Sequence, residues 1–154
     1  MRITLIAVGR LKEPYWRDAA AEYLKRLRPY ATIDIVEVPD RDVTADERGA
    51  LKTEAEGILR AVPDGAHVVV LEIGGKQLTS EGFSAWLELA GVQGRSTVAF
   101  ILGGAAGLDA SVLARANERL SLGAMTLPHQ LARVVLLEQV YRGFRIMRGE
   151  PYHR

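Results

Sequence analysis

Cysteine is absent from the 154 residues of this chain, and its absence excludes several kinds of site at once. Without thiols there are no disulfides, no thiolate nucleophile and no cysteine-ligated zinc or iron–sulfur cluster. A chain without cysteine also suits a reducing compartment, so we expect a cytoplasmic protein. Long apolar runs are missing as well. The run at residues 2–8 is too short for a signal peptide or a membrane span, and it predicts a strand.

Metal ligands and phosphate-binding motifs are equally scarce. The three histidines, His67, His129 and His153, are far apart and form no H-x-x-x-H pair, so we expect no metal. Neither G-x-x-x-x-G-K-S/T nor G-x-G-x-x-G occurs. Even so, "FILGGAAGLDASVLARA" (residues 100–116) has the pattern of a strand, a glycine turn and a helix. The pattern alone allows either a ligand-binding turn or a plain tight turn.

Charge is nearly balanced in total but uneven along the chain. The formal net charge is +1, which does not indicate a nucleic-acid-binding protein by itself. Residues 1–28 hold seven Arg or Lys against three acids, and residues 142–154 hold four arginines against Glu150 alone. The two basic ends would form a basic surface if the fold brings them together. Otherwise these charged side chains are simply distributed over the solvent-exposed surface.

Strand and helix patterns alternate along the whole chain. The predicted strands are 2–8, 32–38, 67–73 and 97–102, with 119–125 as a short strand or extended loop. The predicted helices are 13–27, 44–62 with a Thr44–Glu47 capping box, 80–89, a helix capped by Asp109, and 129–147 after Pro128. This order predicts one α/β domain, residues 1–154, with a mostly parallel sheet and helices on both faces.

The loops after three of the predicted strands are candidates for a binding site. They follow residues 70–73, 100–102 and 120–122. Ligands of open parallel sheets bind outside the carboxyl ends of the strands. We therefore expect these loops to form a ligand site.

The last predicted helix, residues 129–147, is apolar over about two-thirds of its circumference, with a polar stripe at Glu138, Arg142 and Arg145. An apolar stripe of about 100° suffices for a surface helix. The excess predicts burial against a second subunit, and a central core helix is the alternative.

Four segments resemble the ribosomal RNA large subunit methyltransferase H family, whose members are small SPOUT-class enzymes. They are "AVGRLKE", "FILGGAAGL", "LSLGAMTLPHQLARVVLLEQVYR" and the final "PYHR". The resemblance extends over the whole chain. It implies a C-terminal trefoil knot, a homodimer, and methyl transfer from S-adenosylmethionine to N3 of a pseudouridine in 23S rRNA, within the large subunit or the 70S ribosome.

The resemblance also implies the residues that bind the methyl donor. They are Leu71, Gly103, Leu122, Gly123, Ala124, Met125, Thr126 and Leu127. Adenine is flat and uncharged, so aliphatic walls and backbone groups suit it better than a charged cradle. A donor without phosphates explains why the glycine turn lacks a lysine. Family members tend to have Ser where this chain has Gly123, which favours main-chain recognition at that position.

Substrate handling is assigned to the C-terminal tail, residues 152–154. The resemblance favours His153 as the acceptor of the N3 proton, Tyr152 as a stacking platform and Arg154 as a phosphate contact, acting from the opposite subunit. The alternative is a frayed terminus. His67 and His129 are expected to be structural.

Two arginines of the last predicted helix are further candidates for RNA binding. Arg133 lies in the apolar arc and is either a buried partner or an RNA contact. Arg142 and Arg145 either bind RNA phosphates or form a salt bridge between the subunits of a dimer.

Two other functions remain open from the sequence. One is a SPOUT-like methyltransferase that acts on tRNA or on an unmodified uridine. The other is a non-catalytic, doubly wound module that binds a nucleotide or a partner protein.

Overall fold

The structure of the chain is a computed structural model, and it describes residues 1–153. These residues form five strands: β1 (Arg2–Val8), β2 (Thr32–Val38), β3 (His67–Gln77), β4 (Thr97–Leu102) and β5 (Glu118–Ser121). They also form five helices: α1 (Pro14–Leu27), α2 (Glu47–Ala61), α3 (Ser80–Val92), α4 (Ala110–Arg115) and α5 (His129–Met147). The elements alternate as the hydrophobic pattern predicts.

The five strands form one parallel sheet in the order β2-β1-β4-β3-β5. The chain leaves β1 toward β2 on one side, whereas it leaves β4 toward β5 on the other side. The neighbouring strands β1 and β4 are therefore a point where the connections diverge, and ligands of open α/β sheets bind at such points.

Helices cover both faces of the sheet, which confirms the predicted fold class. One core contains Ile3, Leu5 and Phe100 from the strands, together with apolar residues of α1, α3 and α5. The other contains Ile6 and Ile101, together with apolar residues of α2 and α4. Because side chains alternate along a strand, neighbouring residues of β1 and β4 contribute to opposite cores.

Strand β3 is longer than predicted because it contains a bulge. Its pairing with β5 shifts between Leu71 and Lys76, and Gly74 and Gly75 lie within the shift. A Cβ on Gly75 would lie 2.6 Å from the carbonyl carbon of Leu120, so only glycine fits against β5 here. A glycine pair at the end of an apolar run suggests a turn, and the sequence therefore predicts the end of β3 too early.

The predicted capping box at Thr44 and Glu47 is wrong. Helix α2 begins at Glu47, and its N-cap is Asp46, whose side chain accepts a hydrogen bond from the Gly49 amide at 3.0 Å. Thr44 instead donates its hydroxyl to Asp42 at 2.6 Å. An aspartate two residues later caps the helix in place of the threonine, because Asp is at least as good an N-cap.

Helix α5 lies against the sheet between α1 and α3, and each of its residues is buried or half-buried. Leu136, Leu137 and Val140 belong to the same core as the strands. Much of the wide apolar arc of this helix is therefore covered within one chain, as a central core helix requires, whereas Leu131, Val134 and Val135 are only half-buried. The arc fits both a core helix and a core helix that also contacts a second subunit.

The two basic ends of the sequence do meet in the fold. Arg145 donates to the Tyr30 hydroxyl at 3.1 Å, and the guanidinium of Arg148 lies 4.4 Å from the centre of the Tyr30 ring. Arg145 is also paired with Glu150 at 2.6 Å. The junction lies at the far ends of α1 and α5, away from the carboxyl ends of the strands.

Candidate functional site

A cavity of about 800 Å³ lies at the carboxyl ends of β3, β4 and β5. Residues 71–73 of β3 itself line it, together with residues of the loops after β4 and β5, Leu113 of α4 and the first turn of α5. Because β3 continues to Gln77, the loop expected after residues 70–73 is strand, so this strand segment and two of the three predicted loops meet at the cavity. The volume is within the range of small-molecule sites, about 300–1,000 Å³.

Seven of the eight residues assigned to the methyl donor line this cavity. They are Leu71, Gly103, Leu122, Gly123, Met125, Thr126 and Leu127. The eighth, Ala124, is exposed and is not part of the wall. Residues from three distant stretches thus share one cavity, which no single motif in the sequence reveals.

The glycine turn, residues 103–107, is a tight turn and also forms part of the cavity wall. Gly104 accepts a hydrogen bond from the Gly107 amide at 3.1 Å. A Cβ on Gly103 would lie 2.6 Å from the Gly107 carbonyl oxygen, so Gly103 is required by the packing of the turn itself. Gly107 has a φ of +85°, and a Cβ there would meet no atom within 4 Å. Asp109 then caps α4 by accepting from the Ser111 amide, as predicted.

The loop after β5 presents its backbone in a conformation that favours glycine. Gly123 has a φ of +143°, and a Cβ at this position would have no neighbour within 4 Å. The Ser121 hydroxyl donates to the Gly123 carbonyl at 2.9 Å and accepts from its amide. Main chain, held by a serine, therefore forms this part of the wall.

The cavity wall carries two titratable side chains, Glu72 and His129. Glu72 is paired with Arg119 at 3.2 Å. Burial lowers the pKa of His129, and the charge of Arg133 lowers it further. The imidazole is therefore neutral at pH 7, and the remaining wall is mostly aliphatic or glycine.

Arg133 occupies the buried alternative of its two predicted roles. Its side chain is 3% exposed and is paired with Glu37 at 2.7 Å. It also donates to the carbonyl of Gly9 at 2.9 Å. A guanidinium held in this way does not reach a phosphate at the surface.

The described part of the C-terminal tail lies on α5 and does not line the cavity of its own chain. The Tyr152 ring packs edge-on against Tyr141 at 4.9 Å, and its hydroxyl donates to Glu138 at 3.1 Å. Burial raises the pKa of Tyr152 well above its usual value. Tyr152 is therefore a packed, neutral phenol in this conformation.

The other two residues assigned to chemistry or RNA binding in the tail are His153 and Arg154. His153 Nε2 lies 2.7 Å from Glu81 and Nδ1 lies 3.1 Å from a guanidinium nitrogen of Arg142. Because arginine only donates, Nδ1 accepts, and this arrangement suits the neutral tautomer with its proton on Nε2. Arg154 lies outside the described residues.

Arg142, one of the predicted RNA contacts, is occupied by neighbours within the chain. It donates to Glu138 from Nε at 2.9 Å and lies 4.7 Å from the centre of the Tyr152 ring. Arg142 and Glu138 thus hold the tail against α5.

The sequence interpretation missed the contribution of α5 to the cavity wall. His129 and Ala132 line the cavity, although His129 was expected to be structural. Their spacing of three residues places them on one face of the helix that starts directly after the 122–127 loop. Helical spacing was therefore the signal that could have found Ala132.

Two features that would change the interpretation of the site, a membrane-spanning helix and a cluster of metal ligands, are absent from residues 1–153. No helix in this range is long and apolar enough to cross a membrane. No group of three or more His, Cys, Asp or Glu side chains in the same range is placed to hold a metal ion.

The fold and the cavity define an α/β protein whose ligand site lies at the carboxyl ends of its strands. A family model described as "Predicted SPOUT methyltransferase" matches residues 1–153. The chain therefore belongs to the SPOUT methyltransferase family and is a methyltransferase. This membership decides against the non-catalytic binding module.

Curated relatives match along their whole length. Proteins named "Ribosomal RNA large subunit methyltransferase H" from Clostridium beijerinckii, Listeria monocytogenes and Enterococcus faecalis are 50%, 52% and 48% identical, with 100% of each chain covered. This result confirms the resemblance found in the sequence.

Solved structures with 14% identity share the fold. A probable methyltransferase from Bordetella pertussis has a TM-score of 0.60, with 92% of this chain and 95% of that chain covered. A probable methylase family protein from Haemophilus influenzae has a TM-score of 0.55, with 99% and 70% covered.

Proposed function

We propose that this chain transfers the methyl group of S-adenosylmethionine to N3 of a pseudouridine in 23S rRNA of the large ribosomal subunit, acting on the assembled ribosome. Relatives with about half of their residues identical carry the name of a large-subunit rRNA methyltransferase. The observation that carries the proposal is the cavity, whose wall is mostly apolar and contains residues of β3 and of the loops after β4 and β5. The trefoil knot stays a prediction.

The wall suits the proposed donor. Two of its glycines, Gly107 and Gly123, present backbone to open space where a Cβ would stand. Backbone amides and carbonyls there are available to a neutral purine, while Leu71, Leu122 and Leu127 supply aliphatic surface. When bound, S-adenosylmethionine supplies a methyl group on a sulfonium, which is transferred in an in-line displacement without a metal.

The cavity residues act in this proposal by binding and orienting. Methyl transfer depends on holding the donor and the acceptor nitrogen in line, because orientation removes much of the entropic barrier. Neutral His129 adds no positive charge next to a cationic donor.

The acceptor nitrogen must lose a proton, and the tail carries the candidate group. Within one chain the described residues of the tail lie on α5 and do not line the cavity. We therefore place His153, with Tyr152 and Arg154, at the cavity of the opposite subunit in a homodimer. Nδ1 of His153 is the nitrogen that accepts in the described tautomer, once it leaves Arg142. Arg142 then has a positioning role toward the tail in addition to any contact with RNA.

Mass spectrometry of rRNA nucleosides tests the proposal directly. Cells with the gene should contain N3-methylpseudouridine in 23S rRNA, and cells without it should lack this nucleoside. Purified enzyme should restore it in vitro on 70S ribosomes or large subunits from the deletion strain, with protein-free 23S rRNA and tRNA as comparison substrates. Unchanged nucleosides in the deletion strain would refute the proposed reaction, and methylation of tRNA would move it to another RNA.

A further inference from the structure

The loop between β1 and α1, residues 9–13, presents two unpaired cations at the surface. Arg10 and Lys12 are exposed, and neither forms an ion pair with any of residues 1–153. Leu11 between them is buried, with 8% of its surface exposed. The loop is therefore held down by its middle residue, with a positive charge on each side of it.

Hydrogen bonds fix the backbone of this loop. Glu37 accepts from the Leu11 amide at 3.3 Å, and Arg133 donates to the Gly9 carbonyl at 2.9 Å. Arg17 of α1 donates to the carbonyls of Leu11 and Lys12. The pair between the buried Arg133 and the exposed Glu37 thus links the loop to α5, and Arg17 holds its other end. A loop fixed at both ends loses little entropy when it binds a partner.

The loop lies beside the cavity. A Cβ on Gly9 would lie 3.9 Å from Cε1 of His129, which lines the cavity. One residue earlier, a side-chain methyl of Val8 lies 3.2 Å from where a Cβ on Gly104 would be, and Gly104 is another wall residue. Because β1 ends at the same edge of the sheet as β4, the loop that carries Arg10 and Lys12 begins beside the cavity wall.

We propose that Arg10 and Lys12 contact the phosphate backbone of the RNA segment that carries the target base. The inference rests on the proposed function and assigns part of its substrate surface. Exposed cations without acidic partners suit phosphates, which form most protein contacts to a nucleic-acid backbone. Tyr15, three residues after Lys12 in the sequence, is 64% exposed at the start of α1, and aromatic side chains stack on the unpaired bases of single-stranded RNA.

The test compares two double variants with the same change in charge. In Arg10→Gln/Lys12→Gln, the loop variant, the loop loses both cations. In Lys25→Gln/Arg28→Gln two exposed cations are lost near the other end of α1, at the opposite edge of the sheet. The measurements are the affinity for large ribosomal subunits between about 50 and 200 mM KCl, the affinity for S-adenosylmethionine, and the sedimentation coefficient.

The loop variant should bind ribosomal subunits more weakly than the control. The slope of log K against log [KCl] should become shallower by about 1.5, since each lost phosphate contact to single-stranded or duplex RNA removes roughly 0.7–0.9. Affinity for S-adenosylmethionine and sedimentation should match those of the wild type.

Four results would overturn the inference. If both double variants have the same slope, the loop cations do not contact RNA. If the loop variant sediments as a smaller species than the wild type, the loop is a contact between subunits. If the wild type methylates ribosomes while the loop variant retains full affinity for them, this inference fails and the proposed function stands. If the wild type neither binds nor methylates ribosomes, the proposed function fails first and this inference fails with it.

Discussion

The cavity and the C-terminal tail are built from different types of residue. The cavity wall is glycine, aliphatic side chains and main chain, with Glu72 and neutral His129 as its titratable groups. The tail is aromatic and charged, and it is bound by Glu138, Arg142 and Glu81. Under the proposed function, one chain therefore contains the cavity assigned to the donor, whereas the groups assigned to proton transfer lie elsewhere.

This difference separates two kinds of pre-organisation. The cavity is fixed by the sheet and by the tight turn at Gly103, and it needs no charged partner to keep its shape. The tail is fixed by the edge-on packing of Tyr152 against Tyr141 and by polar contacts to Glu138, Arg142 and Glu81. Perturbing the cavity should act on donor binding, whereas perturbing the tail should act on methyl transfer.

Removing residues 152–154 should have the largest effect and should separate the two regions. We expect methyl transfer to fall by about 10²-fold or more, the scale of one positioned acid–base group, while affinity for S-adenosylmethionine stays nearly unchanged. Single-turnover transfer at saturating ribosome and calorimetry with the donor measure the two quantities. Replacing residues 152–154 with alanine keeps the chain length and is the control; it should give a similar loss. A truncated enzyme with full activity would mean that the tail is a frayed end.

Filling the cavity should have the opposite signature. Ala132 lines the cavity from α5, so Ala132→Phe places a ring where the donor binds. We expect donor affinity to fall about tenfold or more, since overpacking typically costs about 1–3 kcal/mol. Ala21→Phe, at an exposed position of α1, is the matched control. Calorimetry showing equal affinities for the two variants would contradict the assignment of this cavity.

Gly103 would be a poor target for the same question. A Cβ there would lie 2.6 Å from the Gly107 carbonyl oxygen, so a side chain would displace the turn before it met any ligand. A glycine in a ligand site is therefore not always there for the ligand.

Much of the fold could be predicted from the sequence because it depends on local apolar spacing. β4 has the predicted bounds Thr97–Leu102, and α5 has the predicted bounds His129–Met147. The sequence predicts the end of an element wrongly where one close backbone contact or one hydrogen bond determines that end. Gly75 lies against β5 and lengthens β3, and Asp46 caps α2 in place of Thr44.

The cavity and the tail differed in how far the sequence could predict them. Strand ends in a parallel sheet meet at one edge, so the three loops could be grouped before the structure was known. Nothing in the spacing of Tyr152 and His153 shows that they lie on Glu138 and Glu81. Contacts between distant, individually ordinary residues have no periodicity to reveal them.

Loosening the tail without removing it should give an intermediate effect. Glu138 accepts from Arg142 at 2.9 Å and from Tyr152 at 3.1 Å, and its side chain is 16% exposed. Glu138→Gln weakens both contacts, so we expect the free energy of unfolding to fall by about 1–2 kcal/mol. Methyl transfer should fall several-fold while donor affinity stays constant.

Urea unfolding and single-turnover kinetics measure the two effects of Glu138→Gln. Glu22→Gln is the matched control, because Glu22 forms the same kind of i,i+4 pair with Arg26 at an exposed position. A drop in donor affinity as large as the drop in transfer would show that the tail and the cavity are not separate.

The smallest effect concerns the pH dependence of donor binding. Burial and the charge of Arg133 lower the pKa of His129, so the imidazole stays neutral above its ordinary pKa and for some distance below it. Affinity for S-adenosylmethionine should therefore be flat between pH 6.5 and 7.5, within about twofold, because the cavity changes no charge there. Below that window protonation of His129 puts a cation beside Arg133 and a cationic donor, so affinity for S-adenosylmethionine should weaken as pH falls.

The variant His129→Gln should not show this loss of affinity at low pH, and its affinity at pH 7.5 should be nearly unchanged. Calorimetry measures both affinities. The affinity of the wild type could instead change steeply between pH 6.5 and 7.5 while that of His129→Gln does not. This result would contradict the prediction, because it would mean that the charge of His129 changes in that range.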